Sequence, residues 1–328
     1  MSSLYVTGGR QRAPRPLMAD AKDWYEYREG LILEVFPETG EVRARVAYVS
    51  PPAVCAAESP QILFKSGTAC GDRLYVCTQT ELLTYTLPDF APAGAISLPC
   101  FNDVHHVRPT PAGTLLVANS GLDMVLELST GGEVLREWSA LGEPPWARFS
   151  PAVDYRMGVS TKPHRSHPNY VFTLGEEVWA TRFQQKDALC LTDPRRRIPI
   201  DIERVHDGVL HGGLLYFTTV NGRVVLANPG TLELEAVIDL NAMHEPDAQL
   251  GWCRGILPDG DLAWVGFSTI RPTRLRENVG WVARGFRRVL PTRVACYDLV
   301  RRRCLLEVDL QAHGLNAVFS IFRGCGSV

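Results

Sequence analysis

The sequence predicts an all-β fold, a six-bladed β-propeller of four-stranded antiparallel blades closed by a C-terminal inner strand, and three observations predict it. The first is an internal repeat in which an apolar strand, a tight Gly/Asp turn and a strand ending in aromatic or small residues are followed by two further strands. Such a unit cannot bury its apolar faces alone and has to stack on copies of itself. The second is the near absence of helical periodicity, against strand-length runs of alternating or wholly apolar residues. The third is an imbalance at the ends: residues 1–50 supply only three strands (LYVTG, GLILEVF, EVRARVAYV), while LNAVFSIF, from Leu315, has no partners of its own. Four antiparallel strands per repeat describe a propeller blade. Joining the last strand to the first three completes a sixth blade and removes exposed sheet edges.

Taken along the chain, blade 1 comprises 1–50 plus 314–323, and blade 2 comprises 61–99, with FKSGTACGDRLYVC as its first half. Blade 3 (103–139) is the clearest copy, DVHHVRPTPAGTLLVANSGLDMVLELSTGGEVLREW. Blades 4 (166–203) and 5 (205–240) repeat it as HPNYVFTLGEEVWATRF and HDGVLHGGLLYFTTVNG, and blade 6 (251–310) is looser, with WCRGILPDGDLAWVGFST resuming at TRVACYDL. Residues 1–328 thus read as a single propeller domain.

Composition narrows the function classes. A chain with 45% hydrophobic and 21% charged residues is an ordinary globular one, not disordered, collagenous or coiled-coil. No apolar run approaches the roughly 18 residues that span a bilayer, so no membrane partner is expected. A net charge of −2 argues against nucleic acid. The first residues lack a secretory pattern. The nine cysteines are odd in number, form no CxxC pair and mostly sit in apolar runs, the habit of reduced buried thiols in a cytoplasmic protein.

The stretch HHVRPTPAGTLLVANSGLDMVLELSTGGEVLREW resembles repeats of NHL-type and arylsulfotransferase-type propellers, in which a His opens the inner strand and a Pro-x-Gly turn precedes a strand like LLVAN. The likeness is sharp in this one blade and extends over the rest at the level of fold. The GH…WD pair of WD40 repeats and the double glycine of kelch repeats are absent. What the resemblance implies is a fold, because propellers host many unrelated chemistries.

The inner strand of each blade lines the central channel. Aligning the copies on their second strands puts Lys65 or Ser66, His106, His167, His206, Cys253 or Arg254, and Asn316 where the inner strands begin. His106, His167 and His206 are therefore expected to converge and hold a divalent metal ion (iron, zinc, copper or manganese), since three neutral imidazoles with open positions make a catalytic site. Of the adjacent pair His105 and His106, the alternation favours His106. His164, His211, His244 and His313 stand nearby or further out. Asp103, Asp207, Glu245, Asp247 and Asn169 lie where they could orient or complete the ligands, or simply form turns. Cys253 reads as a buried thiol rather than a nucleophile. A single His at a strand start is ordinarily a hydrogen-bonded core residue, and only the repetition argues otherwise. The sequence has no calcium loop, phosphate cradle or nucleophile elbow.

Three long connections, 9–28, 139–166 and 269–291, are expected to rise from the histidine face, where binding and catalysis tend to reside. They are rich in arginine and aromatic residues, which match an anionic, partly apolar small molecule. Lys65, Arg182, Arg271, Arg274, Trp252 and Asn316 are the expected substrate-binding residues, with Arg254 beside the histidines as a catalytic one. The leading expectation is a metal-dependent lyase, isomerase, hydrolase or oxygenase. Two others stand beside it: a metal-free, His-catalysed group transfer of the arylsulfotransferase kind, and a non-catalytic propeller gripping a protein or peptide.

Overall fold

The computed structural model describes residues 2–12, 27–269 and 288–324. Six four-stranded antiparallel sheets follow one another around a ring. The first takes Ala317–Arg323 as its innermost strand, followed outward by Leu4–Gln11, Tyr27–Phe36 and Glu41–Tyr48. The other five run in chain order from the inside out, with inner strands Gly67–Cys70, Val104–Pro109, Pro168–Leu174, Val205–His211 and Trp252–Asp259. Each inner strand touches the next, including Ala317–Arg323 with both Trp252–Asp259 and Gly67–Cys70, so the ring is closed. A short parallel pair, Ala248–Gln249 with Arg288–Val289, lies outside the six sheets. Among the described residues no helix is long and apolar enough to cross a membrane.

The burial gradient explains the blade pattern. Second and third strands such as Thr114–Asn119 and Met124–Ser129 are almost wholly buried, whereas the outermost strand Ala91–Ile96 is almost wholly exposed. Apolar clusters form between neighbouring blades: Trp179, Phe172 and Phe217 join blades 4 and 5, and Phe267, Tyr297 and Val224 join blades 5 and 6. Sheets stacked in this way bury both faces, which favours Val, Leu and aromatic residues over polar alternation.

The inner strands carry the feature that builds the site. In five of the six, the register slips where the strand begins, leaving Phe319, His105, Asn169, Asp207–Gly208 or Arg254–Gly255 without an opposite residue. A bulge of this kind bends the strand and re-aims a side chain. Pairing also sets the equivalences: Val104 lies opposite Asn119, Pro168 opposite Arg182 and Val205 opposite Thr219. The matched positions are thus His105, Asn169 and His206, and the expectation that His106, His167 and His206 share one topological place is corrected.

Closure is tight where the chain ends meet. A Cβ added to Gly8 would lie 1.7 Å from the carbonyl oxygen of Ala317. Gly8→Ala is expected to force the first and last strands apart and cost about 1–3 kcal/mol or more. Urea unfolding measures this, and an unchanged midpoint would contradict the closure described.

Candidate metal centre

The channel opens at one face into a cavity of about 370 Å³. One side carries the charged groups Lys65, Asp103 and Arg254, and His105, His164, His167 and His206 surround them. Phe183, Trp252 and Phe319 form the apolar wall, and Lys162, Pro163 and Arg204 stand at the rim.

Asp103 anchors the arrangement. Its left-handed backbone (φ 52°) turns the chain into blade 3, and its carboxylate is split between two uses. Oδ1 pairs with the Nζ of Lys65, a fully buried lysine that also donates to Gln79 Oε1 (2.8 Å). Oδ2 faces His164 Nδ1 at 3.6 Å and His167 Nδ1 at 3.9 Å, and those two nitrogens are 2.7 Å apart. Burial alone would raise this carboxyl, but Lys65 and the imidazoles of His105, His164 and His167 hold it well below the usual carboxylate range. Burial pushes Lys65 down, opposed by Asp103.

A triangle with sides of 2.7, 3.6 and 3.9 Å has its circumcentre about 2.0 Å from each corner, and zinc–nitrogen and zinc–carboxylate bonds measure about 2.0–2.2 Å. Asp103, His164 and His167 therefore form a group that could hold a metal ion. His164 and His167 come from the connection between blades 3 and 4, and a buried carboxylate outside the cavity shapes it. Asp123 Oδ1 accepts the backbone N–H groups of Ser166 (2.8 Å) and His167 (2.7 Å), while Oδ2 accepts that of Arg165 (2.9 Å) and pairs with Arg148 (2.5 Å). These bonds hold His167 in its left-handed conformation (φ 57°). Thr161 Oγ1 lies 3.3 Å from His164 Nε2 and orients the second ring.

The remaining histidines have distinct places. His105, at the bulge, donates from Nδ1 to its neighbour's carbonyl, Asp103 O (2.8 Å), which leaves Nε2 as the acceptor; its ring meets that of His167 edge-on. His106 faces away from the cavity. Its Nε2 donates to Gly67 O (3.1 Å), its Nδ1 accepts from Val171 N–H (3.2 Å), and its ring stacks on Tyr170. With both nitrogens bound to backbone it staples blades 2, 3 and 4 together and offers nothing to an ion. His206 has Asn169 Nδ2 2.8 Å from its Nδ1 and Trp252 Nε1 3.3 Å from its Nε2; a neutral imidazole has one acceptor nitrogen, so it accepts from one of these two donors.

Of the other expected site residues, Lys65, Trp252 and Arg254 line the cavity. Arg182 does not: it makes a bidentate pair with Asp187 (2.8 and 2.6 Å) and caps Ala140 O (2.9 Å). Asn316 accepts Gln11 N–H (2.9 Å) and fastens the closing strand. Arg271 and Arg274 lie outside the described residues, as do 13–26 and 270–287 of the first and third long connections. The second connection contributes Lys162, Pro163 and His164 directly. Cys253 is fully buried and its thiol is pushed well up by burial, unlike a nucleophile. His211 contacts Gly260 N–H, and His244 bonds Tyr297 Oη (2.8 Å), both away from the cavity.

No protein-family model matches the chain, and no curated protein matches it. Among solved structures it is similar to a crystal structure of a protein of unknown function from Bacteroides caccae, with 11% sequence identity, a TM-score of 0.63 and 98% of each chain covered. At that identity the likeness is one of fold.

Burial holds His105, His106, His167 and His206 well below the ordinary imidazole range, so each is neutral when folded and gains a proton on unfolding below about pH 6.5. The stability they contribute is complete above that pH and falls as the pH drops, by up to about 1.4 kcal/mol per pH unit for each ring. Asp207, raised by burial to about 6, acts in the opposite sense between its unfolded value of 3.8 and 6, and offsets part of this. Urea unfolding at pH 7.5 and 5.5 is expected to show a net loss at the lower pH; a flat profile would contradict the burial of these rings.

Proposed function

We propose that the protein is a metal-dependent enzyme whose divalent ion is held by Asp103, His164 and His167 and whose small-molecule substrate occupies the adjoining cavity. The observation that carries this reading is the common distance of about 2.0 Å from one point to the three ligand atoms. Three further features support it. Burial keeps His164 and His167 toward their neutral, ligating form. Lys65 occupies Oδ1 of Asp103 and leaves Oδ2 directed at the imidazoles, the outer-partner arrangement common around metal ligands. The donor set of two imidazoles and one carboxylate leaves open positions, as in catalytic zinc and non-haem iron(II) sites.

Bound there, the ion would supply a Lewis acid and a water of lowered pKa. The chain's own residues supply the rest. His105 lines the cavity with Nδ1 bonded to Asp103 O, so its Nε2 is the nitrogen that would take a proton from substrate or water. Phe183, Trp252 and Phe319 exclude solvent, which strengthens every charge inside. Arg254 and, at the rim, Arg204 and Lys162 favour a substrate with negative charge. Relative to the expectation from sequence, the proposed ligand set keeps His167 and replaces His106 and His206 with Asp103 and His164.

Untagged protein stripped with chelator and titrated with zinc or iron(II) is expected to take up one equivalent. Alanine at His164 or His167 should weaken binding beyond the roughly 10–100-fold that loss of an outer partner costs. His106→Ala should retain the equivalent while lowering the unfolding midpoint. Failure of the wild-type protein to bind any divalent transition metal tightly would overturn the proposal.

A further inference from the structure

In the buried part of the cavity Arg254 is the cation whose charge has no bonded counterpart among the described residues. Its side chain is buried, with 9% of the residue exposed, and it sits in a bulge at the start of the blade 6 inner strand. Its Nε has no hydrogen-bond partner, and no described residue accepts from the rest of the guanidinium. The two carboxylates whose charges act on it, Asp207 and Asp103, make their bonds to other groups and none to Arg254. Asp103 bonds Lys65, and Asp207 Oδ2 accepts from Thr218 Oγ1 and from Gly255 N–H (3.0 Å). What holds the guanidinium is the face of Phe319, 4.0 Å from the ring centroid, with Trp252 more distant at 6.0 Å. Burial draws it down to about 10, the mark of a cation stripped of water without an adequate replacement.

A buried, unbonded arginine carries a desolvation penalty that a fold has no reason to retain unless something arrives to fill its fork. We infer that Arg254 is the anchor for a carboxylate on the substrate, gripped by two parallel N–H···O bonds, with the apolar body of the substrate lying along the near-parallel rings of Phe183 and Trp252. Those rings are 6.1 Å apart by centroid and inclined by 16°, and they share the cavity with Arg254. The planar fork matches a planar carboxylate in a bidentate way. In the buried part of the cavity Arg254 is the one unbonded cation, since Lys65 is taken by Asp103, which fits a single negative charge rather than a phosphate dianion.

This inference deepens the proposed function by naming its substrate class, and it rests on that reading only for the reaction, not for the binding. The test is therefore made on chelator-treated protein, where binding does not depend on the metal. Calorimetric titration compares benzoate with benzamide, benzenesulfonate and phenylphosphonate. Benzoate is expected to bind at least about 10-fold more tightly than benzamide, and Arg254→Met to abolish that preference. Arg254→Lys should keep part of it, as a point charge without the fork. Because the methionine variant removes an unpaired buried charge, its melting temperature without ligand should match or exceed that of the wild type, and it should still bind one metal equivalent. Equal binding of benzoate and benzamide, failure of both to bind, or undiminished benzoate preference in Arg254→Met and Arg254→Lys would overturn the inference. Preference for the sulfonate or phosphonate would overturn the carboxylate class. Loss of metal binding in the wild type with carboxylate binding intact would sink the proposed function alone.

Discussion

The ion pair between Lys65 and Asp103 is the interaction on which the rest of the site depends. Both groups are buried, and leaving either charge there without the other would be costly. The pairing uses only one carboxylate oxygen. The other is left pointing, still charged, at two imidazoles that reach the same spot from a different connection. A lysine in blade 2 thereby sets the charge state and direction of a carboxylate at the entrance to blade 3.

Ring closure makes such a convergence possible. Six inner strands start around one small opening, and the bulges there turn side chains toward the axis instead of alternately into neighbouring blades. His105, Arg254 and Phe319 reach the cavity by this route, from blades 3, 6 and 1. The polar groups brought together are too crowded to remain hydrated, so burial pushes the histidines toward neutrality and leaves Arg254 under-solvated. A buried site rich in neutral imidazole is compatible with the proposed ion and the proposed anion. A protein optimised for stability alone would fill it with apolar side chains.

The fold was legible in the sequence because each blade writes the same strand and turn pattern, and because the terminal strands could be counted and found to complete one another. The site was legible only in outline. Alternation along the inner strand points to His106, but the bulge at His105 inserts one residue and reverses the assignment, and nothing in HHV marks that insertion. His167 stands before its strand rather than in it, placed by a left-handed turn. His164 has no place in the blade repeat; the spacing of His164 and His167 in KPHRSHPN was the one available signal, and it carries weight only once Asp103 is known to face it. Asp123 reads as a turn residue in NSGLDM, and its four contacts to the blade 3–4 connection emerge only in three dimensions. Arg182 looked like an anion binder until Asp187, five residues on, proved to be its partner.

Two imidazoles and one carboxylate, drawn from blade 3 and the connection after it, are proposed to meet at a single ion. X-ray absorption at the zinc edge of the protein loaded with one equivalent tests it most directly. Nitrogen and oxygen neighbours at about 2.0–2.2 Å are expected, with the multiple-scattering signature of two imidazoles and no sulfur. A sulfur neighbour near about 2.3 Å, or an ion with no imidazole at all, would contradict it.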